Sequence, residues 1–142
     1  MRRIRNMVRG FTLIELLIVL AVIAALLAIV TPIALNAVAQ AKATQVASNF
    51  RNLKSAVESY VNITRPDTPS LVTLDDLVQK GYLSAKPDKF TLEMTDWENG
   101  IATATIFYNS LDVDKDKLED VYPDVTVGST NITLQFRIAK WW

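Results

Sequence analysis

FTLIELLIVLAVIAALLAIV, residues 11–30, holds one charged side chain, Glu15, in twenty positions. As a helix rising about 1.5 Å per residue it spans roughly 30 Å, the hydrocarbon thickness of a bilayer. It is apolar on every side and lacks the single stripe of a soluble surface helix. Arg2, Arg3, Arg5 and Arg9 precede it, and no arginine follows until Arg51. That bias predicts a cytoplasmic N-terminus, with the rest of the chain carried across.

Two processing routes fit such a segment. An ordinary secretory signal would use the basic start, the run from Leu16 to Val30 and the small residues Ala37-Val38-Ala39, and would discard everything before Gln40. The alternative cut falls on the cytoplasmic side, between Gly10 and Phe11, and keeps the apolar helix. Glu15 bears on the choice. A carboxylate in an apolar span costs about 2.5–3.5 kcal/mol at the centre and less near an end, and a discarded peptide gains nothing in return. Cleavage after Gly10 would place the Phe11 amine four residues before Glu15 on the same helical face, where opposite charges can pair within or between chains.

Composition narrows the chemistry. The 142 residues include no cysteine and no histidine, which excludes disulfides, thiol nucleophiles, imidazole bases and ordinary zinc sites. Basic and acidic residues number 15 each, but from Phe11 onward 11 basic residues face 15 acidic ones, a net charge of −4. That balance argues against a nucleic-acid ligand. Serine, lysine and carboxylates occur without any spacing that sets a nucleophile beside a base, so no enzyme is expected.

Gly10-Phe11-Thr12-Leu13-Ile14-Glu15, with the short basic leader before it and the apolar run and Pro32 after it, closely resembles the N-terminus of type IV pilins and pseudopilins. The resemblance covers residues 1 to about 40. It implies that a prepilin peptidase cuts after Gly10 and methylates the new amine of Phe11. It further implies that Glu15 pairs with the amine of a neighbouring subunit, and that the processed chain forms a homopolymer through an assembly machinery in the inner membrane. The filament would be a pilus outside the cell or a periplasmic pseudopilus of type II secretion. Pro32 removes the helical donor for the carbonyl of Ala28, which predicts a kink. In the family the segment before this proline can extend within filaments.

The rest of the chain predicts an α+β fold of pilin-like form: a long N-terminal helix on a small antiparallel sheet of about four strands. Residues 1–10 are the expected leader, 11–35 the membrane or filament-core helix, 36–63 its amphipathic half and 64–142 the head. Val46, Phe50, Leu53, Val57 and Tyr60 recur at helical steps between charged positions, giving a stripe that needs a sheet beneath it. The two prolines of residues 64–70 end the helix. Thr73 and Asp76 form a capping-box pattern before a short helix, Leu74 to Lys80, and Gly81 closes it.

Strands are expected at Phe90–Met94, at Ile101–Tyr108 after the Asn99-Gly100 turn, at Val121–Val127, and from Ile132 to Ile138. The absence of cysteine departs from many Gram-negative major pilins, whose C-terminal loop is closed by a disulfide.

Two further features are candidate sites. Asp112, Asp114, Asp116, Glu119 and Asp120 alternate like the opening of a calcium loop, although Lys117 and Pro123 replace its glycine and its closing glutamate. A solvated acidic connection is the plainer expectation, and calcium the alternative. One or both rings of Trp141 and Trp142 are expected to pack back onto the head, with a sticky surface patch as the alternative. Asn62-Ile63-Thr64 and Asn131-Ile132-Thr133 fit the short glycosylation pattern, which often arises by chance.

Overall fold

The computed structural model describes residues 10–142; the leader arginines Arg2, Arg3, Arg5 and Arg9 lie outside them. One helix, α1, runs from Leu13 to Thr64, and the chain divides into two units, the first ending at Ala37 and the second comprising Val38–Trp142. In the first unit α1 is helical straight through Pro32. Thr31 Oγ1 donates to the carbonyl of Leu27 at 2.7 Å beside the position where proline removes a donor.

In the second unit α1 finds a partner. Ala43, Val46, Ala47, Phe50, Leu53, Ala56, Val57, Tyr60 and Val61 are buried, in steps of one and three that make one continuous stripe. Beneath it lie β1 (Phe90–Met94), β2 (Ile101–Tyr108), β3 (Val125–Val127) and β4 (Ile132–Ala139), in the order β1-β2-β4-β3 and antiparallel throughout. The expected α+β arrangement, a long helix on a four-stranded sheet, is the one present.

The register explains why the stripe fits. Alternate residues of each strand share a face, and the core-facing ones line up in rows across the sheet. Phe90, Tyr108, Ile132 and Val127 form one row, Leu92, Ile106, Leu134 and Val125 the next, and Met94, Ala104 and Phe136 a third. Small Ala104 sits between two large neighbours, a size alternation that lets helix side chains enter the surface. Phe50 is fully buried and meets Phe90 edge-on, with ring centroids 5.1 Å apart.

The connections follow from local chemistry. Thr73 and Asp76 close a complete capping box on α2, Leu74–Gln79: the Thr73 N–H donates to Asp76 Oδ2 at 2.9 Å and the Asp76 N–H to Thr73 Oγ1 at 3.3 Å. Gly81 follows at φ +79°, while the Tyr82 N–H reaches the Leu77 carbonyl at 2.8 Å, a left-handed closure for which glycine carries no Cβ penalty. Asn99 and Gly100 form the expected two-residue turn, both at positive φ, with Glu98 and Ile101 exchanging hydrogen bonds.

The acidic stretch corrects one expectation. Residues 115–121 form a helix, α3 (Lys115–Val121), so the third strand starts only at Val125 instead of Val121. Asp114 caps α3 by accepting from the Lys117 N–H at 3.2 Å, and Leu118 is its buried anchor.

Trp142 packs back onto the head, whereas Trp141 stays largely exposed and is held by side-chain contacts. The Trp141 indole N–H donates to Asn62 Oδ1 at 2.9 Å, Arg65 lies 4.7 Å above its ring, and Trp142 meets Trp97 edge-on at 5.4 Å. The Asn62 side-chain oxygen is therefore engaged in a structural contact.

Phe50→Ala is expected to destabilise the head by about 3–5 kcal/mol, and Thr73→Ala by about 1 kcal/mol. Urea unfolding of the two variants against the parent chain checks both values and their order.

Candidate functional site: the start of the long helix and the carboxylates of the head

The first turn of α1 begins at a cap. The Thr12 N–H donates to Glu15 Oε2 at 2.8 Å, and the Glu15 N–H donates to Thr12 Oγ1 at 3.3 Å. This reciprocal pair is a capping box, which satisfies two of the donors that every helix start leaves open. It explains why the helix starts at Leu13 and why Glu15 is tolerated in so apolar a stretch. The pattern Thr12-Leu13-Ile14-Glu15 was legible in the sequence as S/T-x-x-E. Read for charge alone, Glu15 points only to an amine, and Thr12 goes unnoticed.

Gly10 and Phe11 both precede the helix and both are exposed, Phe11 at 91 % of its surface. A protease needs an accessible peptide bond outside regular structure, and Gly10 and Phe11 are both exposed and outside the helix. From Phe11 to Val38 every large apolar side chain of α1 is exposed. Among the described residues α1 is the one helix long and apolar enough to cross a membrane, and its apolar window is unburied. Pro32 lies inside this exposed half.

The residues proposed from sequence as a cation loop do not converge. Asp112 is already neutralised by the protein's own cations: Lys42 Nζ and Lys89 Nζ approach Oδ2 at 2.6 and 2.7 Å, and Tyr108 Oη donates to Oδ1 at 2.6 Å. Asp114 caps α3, while Asp116, Glu119 and Asp120 are exposed along that helix. Among the described residues no three or more acidic side chains come together to hold a metal ion. Folding of the segment as a helix separates carboxylates that an extended loop would have wrapped around a cation.

Asp112 thus ties α1, the residue before β1 and the end of β2 to one carboxylate. Hydrogen bonds from Lys42, then Lys89 and Tyr108, hold its carboxyl well below the usual carboxylate range. Burial and the adjacent Asp112 push the Tyr108 phenol up to about 12.

Comparison with known proteins bears on the N-terminal segment. A family model described as the prokaryotic N-terminal methylation motif matches residues 5–31. The chain carries a prepilin-type methylation motif. That motif spans the Gly10–Phe11 bond, the Thr12–Glu15 cap and most of the exposed apolar run. It supports a protein of the type IV pilin or pseudopilin kind, and it is consistent with a precursor anchored in the inner membrane. No curated protein and no solved structure matches the chain.

The Asp112 hub sets a pH dependence. A carboxyl whose folded pKa is depressed contributes stability above its unfolded value, near 4, and loses it as pH falls further. Asp112→Asn is therefore expected to lower Tm at pH 7, with a gap to the parent chain that narrows below about pH 4. Thermal unfolding at a series of pH values measures that gap.

Proposed function

We propose that the chain is a structural subunit and not an enzyme. It is cut by prepilin peptidase between Gly10 and Phe11, methylated on the Phe11 amine, and polymerised into a type IV pilus filament. The observation that carries this reading is the methylation motif at residues 5–31, joined to a helix half whose apolar surface has no cover among the described residues. Such a surface needs lipid before assembly, and other helices after it. Since lipid is as apolar as leucine, close packing and a few polar pairs must favour the exchange. In this account Glu15 supplies the polar pair, turning from its own Thr12 N–H toward the amine of a neighbouring Phe11.

A pseudopilin of type II secretion is the second reading. It is favoured by the absence of cysteine, since the chain cannot close the disulfide loop of many Gram-negative major pilins. Sheared surface filaments would support the pilus, whereas an export defect without surface filaments would support the pseudopilus.

Glu15→Val tests the assembly role without an insertion artefact, because removing a charge from an apolar span makes membrane insertion easier, by up to about 2.5–3.5 kcal/mol. The variant is expected to accumulate in the membrane with a folded, protease-resistant head and to yield no filaments. Filaments in normal amount would overturn the role given to Glu15.

A further inference from the structure

Between the solvent side of α1 and the loop after α2 runs an open groove of about 690 Å³, within the ~300–1,000 Å³ range of ligand pockets. No charged side chain lines it, although 21 % of the chain is charged. One wall is a row on α1: Asn49, Asn52, Ser55 and Ser59, spaced to share one face. The opposite wall adds Tyr82 and Ser84. Among the described residues none of these six polar side chains is hydrogen-bonded to another part of the chain.

That row has a cost without a structural return. Asparagine and serine are poorer helix formers than alanine, lysine or glutamate, because their side chains compete for backbone hydrogen bonds. Exposed helix positions ordinarily carry charged or strongly helix-forming residues, and here four neutral amides and hydroxyls replace them along one groove. Tyr82 is fixed beside them by its edge-on contact with Tyr60, ring centroids 5.4 Å apart, and by the Leu77 carbonyl that accepts its N–H.

We infer that this groove binds a neutral oligosaccharide. Sugar hydroxyls match amide and hydroxyl partners that can both donate and accept, and the apolar C–H faces of a pyranose suit the flat side of an aromatic ring. Beyond Asn49, Ala85 and Pro87 the groove adjoins Lys42, Lys86 and Lys89, but Asp112 and Asp75 pair these cations. Along the groove itself a phosphate, nucleic acid or acidic glycan would find none. The inference goes beyond the filament role and does not depend on it.

The test uses the full chain in lauryldimethylamine oxide, a detergent without a sugar headgroup. It is titrated with cellohexaose, maltohexaose and chitohexaose, and with a heparin-derived hexasaccharide as charged control. Saturable binding of at least one neutral sugar is expected. The triple variant Asn52→Ala, Ser55→Ala, Ser59→Ala should weaken it at least about tenfold, while its Tm stays equal or rises because alanine favours the helix. Glu15→Val should bind as the parent does.

Three results would overturn the inference: no neutral sugar bound up to about 10 mM, binding of the charged control alone, or undiminished binding by the triple variant. Loss of filaments in the triple variant without any sugar binding would likewise overturn it, and would assign the groove to contact between copies.

Discussion

The structure depends on one imbalance: a single helix carries apolar surface along its whole length, and the described residues cover only half of it. From Ala43 to Val61 the buried stripe of α1 rests on the sheet, in rows set by strand register. From Leu13 to Val38 no described residue covers it. Backbone groups in that stretch are satisfied within the helix, so a bilayer can hold it. Glu15 is the one charged side chain there, and its capping box with Thr12 lessens the conflict with a bilayer by giving the carboxylate a donor from its own chain. The proposed assembly would exchange this neutral donor for the charged amine of a neighbouring Phe11.

Much of this could be read from the sequence, for reasons that differ by element. The apolar run was unmistakable because its length and its lack of charge admit few alternatives. Ile132, Leu134, Phe136 and Ile138 are all buried as their alternation required, and the Thr73–Asp76 cap and the Asn99-Gly100 turn formed where their residue types demand. These are local rules, and nothing distant opposes them.

Where tertiary partners decide, the sequence was less informative. The stretch from Asp112 to Asp120 has the spacing of a cation loop, but the spacing is silent about Lys42 and Lys89, which come from far away in the chain and occupy Asp112 first. It also alternates too evenly to betray a helix whose anchors are a capping Asp114 and a buried Leu118. Thr12 differs again: its motif is local and readable, but the charge of Glu15 implies an amine partner as readily as the peptide N–H three residues earlier. The groove along Asn49, Asn52, Ser55 and Ser59 was invisible for a third reason, since its second wall is formed by a loop some thirty residues further on.

On this reading the apolar helix remains part of the working protein. The intact mass and N-terminal sequence of the chain isolated from its native host test this most directly. The account predicts a chain that begins at N-methylated Phe11 and so retains Thr12, Glu15 and the exposed half of α1. A chain beginning at Gln40 would contradict it, because the motif and the helix would then have been discarded together.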